Sequence, residues 1–304
     1  MQKFDYLLVD VFTDRPFGGS RLTLFPDGDR VPAHLMQQLA MEMGCGETAF
    51  VLSSRGRARD KARLRVFTPS VELPFAGHSV LGATYALAEL GRLHKERATE
   101  VFTWELEAGA FKVFLKEAEG TTIYALLHDP PVFLGQYYQR GKVAGALGIS
   151  VEDLAITGLP CEIISTGLPI HIVPVAGLDI MRSISLRVRE ADAIARDLGF
   201  GDLFVFTCET VSPDAHVHCR MFAPHFGIPE DPASGSAMGA LAAYLVKHRL
   251  VKLSSHVRII CEQGLEMGRA SRLVADLEVE GGQAAHIQVG GQCVLVGRGS
   301  IELG

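Results

Sequence analysis

No stretch of this 304-residue chain stays apolar for the roughly 18 residues that a membrane-spanning helix needs. The most apolar run, Ala237 to Val246, is too short and carries Tyr244. The opening MQKFDYLLVDVF puts an aspartate inside its apolar run. That suits a first β-strand and not the core of a secretory leader. Basic residues are in deficit: 29 Lys and Arg stand against 35 Asp and Glu, a net charge of −6. Such a surface offers no attraction to phosphate backbones or anionic lipid, so neither nucleic acid nor membrane is an expected partner. Nucleotide-binding signatures are absent as well, with no GxGxxG after a strand and no GxxxxGK[ST]. The six cysteines, Cys45, Cys161, Cys208, Cys219, Cys261 and Cys293, are scattered and form no CxxC pair. Zinc spacing is therefore missing, and a chain of this size needs no disulfide staples. We expect reduced thiols, mostly buried in strands, in a cytoplasmic setting.

What is present is an ordinary globular balance, 48% apolar and 21% charged, and a chain that contains itself twice. Sliding the sequence by 155 residues lays Leu39-Ala40-Met41-Glu42-Met43-Gly44-Cys45-Gly46-Glu47 over Ile194-Ala195-Arg196-Asp197-Leu198-Gly199-Phe200-Gly201-Asp202. At the same offset Arg65, Phe67 and Pro69 fall on Arg220, Phe222 and Pro224. Three further residues then enter the second copy. At offset 158, Glu72, Pro74 and Gly77 fall on Glu230, Pro232 and Gly235. One offset shared across two blocks, followed by one small insertion, marks an internal duplication.

The local patterns repeat with it. Residues 4–12 alternate as a strand. Residues 32–44 place Leu35, Met36, Leu39, Ala40 and Met43 at helical spacing, with Gly44 as the stop. Thr48 to Leu52 and Leu64 to Thr68 read as short strands, as do Glu105–Leu115, Thr122–Leu127, Ile170–Val175 and Val257–Glu262. Ser79 to Leu93 and Ser236 to Leu250 are apolar almost all round. A helix apolar on every face is buried on every face and needs a sheet curled about it. Gly82, Ala83, Ala86, Gly239, Ala240, Ala242 and Ala243 leave room for that sheet. The expected fold class is α+β, two pseudo-symmetric halves, each a curled, mostly antiparallel sheet around a central helix. The first half should take residues 1–128 plus about 290–304, with Glu47 and His78. The second should take 129–289, with Asp231 and the Gly235 loop. The crossover falls near His128-Asp129-Pro130-Pro131, and the tail Cys293–Leu303 returns to the first half.

Each copy places Pro-x-x-Gly just before its buried helix: Pro74-Phe75-Ala76-Gly77-His78 and Pro232-Ala233-Ser234-Gly235-Ser236. A glycine-rich helix entry exposes backbone N–H groups beside the positive end of the helix dipole, a place for a carboxylate. Two such entries could face each other across a cleft, the usual setting for a small ligand. The plainer reading is local capping by Ser234 or Ser236. Glu47 stands at the mouth of the apolar run Ala49-Phe50-Val51, where desolvation would raise its pKa toward the range useful for proton transfer. Its repeat partner is Asp202, so an acid here could equally serve structure in both copies. His78, at a helix entry, reads as a capping residue or as a catalyst. Asp231 replaces the apolar Leu73 of the first copy, a departure from the shared scaffold of the kind that marks function. Glu72 and Glu230 are matched and read as structural. Cys45 suggests a thiol racemase, yet its partner Phe200 provides no second thiol. His216-Val217-His218 has metal-compatible spacing but no third ligand nearby, and reads as exposed strand.

Taken together, VDVFTDRPFGG at 9–19, GETAFV at 46–51, FTPSVELPFAGH at 67–78, RMFAPHFGIPEDPASGSA at 220–237 and EQGLEMGRAS at 262–271 give a chain that resembles the phenazine-biosynthesis (PhzF-like) isomerase family along nearly its whole length. That family is related in fold to diaminopimelate epimerase. The resemblance implies two similar halves with the site between them, no cofactor and no metal, and a homodimer. It implies Glu47 as general base and acid, moving a proton between carbons of a small, carboxylated, cyclic substrate. His78 and Asp231 match the pair that positions substrate and assists the transfer. Gly77, Gly235 and Ser236 match the loops that hold its carboxylate. In the best-known member the substrate is dihydro-3-hydroxyanthranilate. Rival activities on this scaffold are an amino-acid racemase or epimerase and a non-catalytic carboxylate-binding protein. Three positions depart from the family pattern: Ser20-Arg21 stands where Asn-Pro is usual, Gly46 where the phenazine enzyme has serine, and Ser79 where proline is common.

Overall fold

The computed structural model describes residues 2–54, 61–93, 101–118, 120–224 and 228–303. Residues 225–227, inside the motif at 220–237, lie outside the described residues. The chain divides into two compact units, Met1–Leu127 with Gly290–Gly304, and His128–Val289.

The first unit contains strands β1 (Gln2–Val11), β2 (Ser20–Phe25), β3 (Glu47–Ser53), β4 (Lys61–Phe67), β5 (Glu72–Leu73), β6 (Val101–Leu106), β7 (Gly109–Ala118) and β8 (Thr121–Leu127), with helices α1 (Ala33–Met43) and α2 (Gly77–Glu89). The C-terminal strand Cys293–Leu303 lies antiparallel to β1, from Gln2 opposite Leu303 to Val11 opposite Cys293. From there the sheet continues β1–β2 antiparallel, β2–β3 parallel, β3–β4 antiparallel, β4–β6 parallel, then β6–β7 and β7–β8 antiparallel. Helix α2 touches the C-terminal strand, β1, β2 and β3, and also β7 and β8. Contact with both flanks of one sheet means that the sheet curls around the helix. At Gly82 the sheet comes close to the helix, since a Cβ there would lie 2.8 Å from side-chain atoms of both Leu22 and Val11. On the other face, α1 packs Met36, Leu39 and Ala40 against Phe4, Phe25, Phe50 and Phe67. The predicted single strand Glu105–Leu115 is instead a hairpin, β6 then β7, turning at Glu107-Ala108 into Gly109 at φ +139. The alternation continues through the turn, so periodicity alone could not see it.

The second unit contains β9 (Val132–Gln136), α3 (Arg140–Leu147), α4 (Glu152–Ala155), β10 (Glu162–Ser165), β11 (Pro169–Pro174), α5 (Leu178–Ser183), α6 (Val188–Leu198), β12 (Leu203–Thr207), β13 (Val217–Ala223), β14 (Ile228–Asp231), α7 (Gly235–Lys247), β15 (His256–Gln263) and β16 (Ser271–Glu280). Its pairing repeats that of the first unit: β10–β11 antiparallel, β11–β12 parallel, β12–β13 antiparallel, β13–β15 parallel, β15–β16 antiparallel. In the elements that carry the sequence repeat, the match holds residue by residue. Helices α1 and α6 share offset 155, α2 and α7 share offset 158, and Thr48 opposite Phe67 becomes Leu203 opposite Phe222. Arg65 makes a two-pronged ion pair with Glu72 and stacks over Phe67. Arg220 does the same with Glu230 and Phe222. Glu72 and Glu230 are thus structural partners of the repeat's arginines. Helix α7 is buried throughout from Ala237 to Val246, and the Tyr244 hydroxyl, the one polar group in that run, donates to the Pro160 carbonyl at 2.8 Å.

No helix of the described residues is long and apolar enough to cross a membrane. The cysteines are free thiols. Cys161, Cys219 and Cys261 are buried, whereas Cys208 is exposed. The histidine pair departs from expectation. His216 precedes β13 and is exposed, but His218 is 1% exposed. The position is an enclosed one, because the His218 ring lies between two carboxylates that follow β15 in sequence or end it: Glu262 at 2.8 Å and Glu266 at 2.9 Å.

Candidate active site

In the first unit, Glu47 opens β3 and His78 and Ser79 sit in the first turn of α2. The parallel pairing of β2 with β3 fixes Glu47 opposite Leu22, at the strand end beside the helix entry. Its carboxylate is largely buried, with 11% of the side chain exposed. Two groups from α2 converge on the same oxygen. The Ser79 hydroxyl donates to Glu47 Oε2 at 2.5 Å, and His78 Nε2 comes within 3.1 Å of it. The His78 approach is close but off hydrogen-bond geometry. Its Nε2 is buried and makes no hydrogen bond among the described residues. Buried polar atoms in this condition are rare and call for an explanation.

The helix entry itself lacks a side-chain cap. Ala76 occupies the N-cap position with extended backbone, and α2 begins at Gly77. At α7 the N-cap is Ser234, also extended, and its hydroxyl makes no cap hydrogen bond either. The capping role considered for Ser234 and Ser236 is therefore not taken up; their hydroxyls lie 3.4 Å apart. Gly77 has neither a left-handed φ nor a crowded Cβ position, whose nearest neighbour would be 3.7 Å away. The fold does not demand glycine there.

In the second unit, Asp231 closes β14, and its carboxylate accepts from the Ala233 N–H at 3.2 Å. The turn to Gly235 is held from behind by the motif at 262–271. Gln263 is fully buried; its amide donates to the Asp231 carbonyl at 2.7 Å and accepts from the Ser234 N–H at 3.2 Å. Ser271 donates to the Pro232 carbonyl at 2.7 Å. Gly264, at φ +74, passes so close that a Cβ would lie 2.7 Å from the Pro232 carbonyl. Sequence reasoning quoted this motif without giving Gln263, Gly264 or Ser271 a role. The signal was there: a polar triplet around a glycine, in a run that otherwise reads as strand.

The other candidates resolve differently. Cys45 is half-buried, its Sγ lies 3.5 Å from the Arg21 carbonyl, and burial pushes its thiol up. Such a thiol stays protonated and unreactive at neutral pH. Arg21, at the first family departure, pairs with the fully buried Asp10 at 2.5 Å. Asp10 also accepts from the Phe17 N–H at 2.8 Å and so ties down the loop that carries Phe12, Phe17 and Gly19 at positive φ. The VDVFTDRPFGG motif is a loop anchor. Clefts of 330 Å³ beside Asp27 and Arg92 and of 510 Å³ beside Arg65 and Glu107 are lined by neither Glu47 nor His78.

The model of the family described as phenazine biosynthesis-like protein matches residues 9–299. The chain belongs to that family. Family relatives include an uncharacterized isomerase from Mesorhizobium japonicum, 32% identical over 305 residues and covering 99% of both chains. A trans-2,3-dihydro-3-hydroxyanthranilate isomerase from Pseudomonas chlororaphis is 33% identical over 298 residues, 98% of this chain and 99% of its own. Among solved structures, a Bacillus anthracis phenazine biosynthesis protein of the PhzF family superposes with a TM-score of 0.90 at 29% identity over the full length of both chains. The family is one of isomerases, and this member is an isomerase in class. Its α+β fold is the one that the resemblance implied.

Proposed function

We propose that this isomerase moves a proton between two carbons of a small carboxylated substrate, with Glu47 as both base and acid. The observation that carries the reading is the convergence of Ser79 and His78 on one oxygen of a buried carboxylate. Nothing in the fold requires an acid at residue 47 to be dressed in this way: the repeat partner of His78 is Ser236 and that of Ser79 is Ala237.

The chemistry follows from the groups present. The Glu47 carboxylate takes a proton from a carbon activated by an adjacent π-system, and the C–H electron pair moves into that system as the double bond shifts. Glu47, now protonated, returns the proton to a different carbon on the same face. Atoms and charge balance without any other reactant. Scarce water around the carboxylate strengthens each contact it makes to the reacting centre. His78 Nε2, buried, 3.1 Å from Glu47 Oε2 and without a hydrogen bond among the described residues, is placed to hydrogen-bond substrate beside that oxygen. The uncapped N–H groups at Gly77 suit a substrate carboxylate. Asp231, Gly235 and Ser236 are assigned substrate contacts by family motif, and the hydrogen bonds from Gln263 and Ser271 explain why their loop keeps its shape. The substrate named for the Pseudomonas relative, trans-2,3-dihydro-3-hydroxyanthranilate, is the first compound to assay.

Glu47→Gln tests the reading. It keeps the size and the Ser79 contact but removes the base, and turnover should fall on the order of a thousandfold with the fold intact. Deuterium incorporation from heavy water, followed by NMR, is the direct measurement. Full exchange by the variant would refute the assignment.

A further inference from the structure

The geometry points to Ser79 as a positioning residue for Glu47: its hydroxyl pins Oε2 and thereby sets the direction in which the other carboxylate oxygen faces the substrate. This rests on the reading of Glu47 as the base and extends it to a residue outside the catalytic set.

Ser79 is third in the helical turn that Gly77 begins, and it is 0% exposed. A serine in a first turn ordinarily bonds its own backbone or faces water. This one does neither, and reaches across 32 residues of sequence to a carboxylate on another element. A carboxylate turns about its last side-chain bond almost freely, because that torsion is broad. One short, charge-assisted hydrogen bond removes most of that freedom. The His78 ring, 3.1 Å from the same oxygen but off hydrogen-bond geometry, cannot fix the orientation by itself. The duplication supplies an internal comparison. At offset 158 the position of Ser79 is Ala237, which is fully buried with no hydroxyl, and the helix it belongs to has the same length and limits. A helix of this kind therefore packs without a serine at this point, and the hydroxyl answers to Glu47. The chain also has Gly46, not a side-chain donor, directly before Glu47, so the donor comes from the facing helix.

The test compares Ser79→Ala with wild type and with Glu47→Gln. Ser79→Ala should remain folded, with a thermal midpoint lowered by the loss of one hydrogen bond to a charged group, and should keep its KM for trans-2,3-dihydro-3-hydroxyanthranilate within about twofold. Its kcat should fall on the order of tenfold, the effect of losing one hydrogen bond to a charged group at the reacting centre. A readout independent of turnover uses protein labelled with ¹³C at the glutamate Cδ. The Glu47 signal, assigned by its loss in Glu47→Gln, should titrate at higher pH in Ser79→Ala, because a donor to the ionised form has been removed. His78 faces the carboxylate in both proteins, so the difference belongs to the hydroxyl. Unchanged kcat and an unchanged titration in Ser79→Ala would overturn the inference even with Glu47→Gln inactive. An active Glu47→Gln would overturn the underlying reading instead. If wild type does not turn over this compound, the ¹³C titration alone decides.

Discussion

His218 sits with its ring between Glu262 and Glu266, and Glu262 also accepts the N–H groups of Val211 and Ser212 at 2.6 and 2.8 Å. Burial by itself would lower the His218 pKa, but the hydrogen bonds that its ring donates to Glu266 and Glu262 outweigh it and the net shift is upward. A histidine raised in the folded state contributes stability in full below its unfolded value of about 6.5, and that contribution is lost as pH rises through the folded value. Glu266 is shifted the other way: burial raises it, but the hydrogen bond from His218 and the charge of that ring outweigh burial, and the net is downward. Its contribution is present above the ordinary glutamate range and is lost as pH falls through the lowered value. His218→Leu leaves two largely buried carboxylates without their cation, so near pH 6 it should cost about 3–5 kcal/mol. In denaturant melts at several pH values the gap between variant and wild type should narrow as pH rises past neutrality. A gap that is constant with pH would show that His218 is neutral in the fold. At this scale the sequence was legible where it singled out two residues that the fold brings together, as with Glu47 and His78, 3.1 Å apart. It was not legible where a rotamer decides. Ser79 appeared only as a departure from a pattern, and His218 read as exposed strand, because neither its burial nor the distant Glu266 is encoded in the local spacing.

Helices α2 and α7 end alike. Arg92 N–H bonds the Leu87 carbonyl at 2.8 Å and Leu250 N–H bonds the Leu245 carbonyl at 2.9 Å, the six-to-one closure of a left-handed cap. In α2 the left-handed residue is Gly91, at φ +66; the matching position after α7 is Arg249, at φ +55. An arginine pays a steric penalty there that glycine does not. Arg249 is exposed, so Arg249→Gly should stabilise the protein by about 1 kcal/mol in urea unfolding, with the offset in unfolded-state entropy already counted. Destabilisation would mean that the side chain holds the terminus in place. Elements were the most legible scale. The buried helices, their punctuating glycines and the paired helix entries are periodic or repeated, and repetition survives the loss of three-dimensional context. The β6–β7 turn was missed because Glu107-Ala108-Gly109 continues the alternation of its flanks.

For the molecule as a whole, the duplicated offsets foretold two copies of one pairing pattern, and the coordinates repeat that pattern strand by strand. The sequence carried this because each copy must bury an all-apolar helix, a demand that composition reveals. It did not carry the extra helices α3, α4 and α5 of the second unit: α3 and α4 have no counterpart at either offset, and at offset 155 α5 falls on residues 23–28, which form no α-helix. The single tryptophan, Trp104, is fully buried in the first unit and donates to Thr84 Oγ1 at 2.8 Å. Its fluorescence therefore reports on that unit alone. Removing residues 293–304 should lower the first unfolding midpoint seen by tryptophan emission while much of the far-ultraviolet signal melts at its original denaturant concentration. Coincident loss of both would show that the two units unfold as one.

The strand Cys293–Leu303 lies along β1, although the whole of the second unit separates them in sequence. On the ribosome, then, the second unit is contiguous and can complete itself early. Strand β1 must wait, its outer edge exposed to unwanted partners, until residues 293–303 have been synthesised.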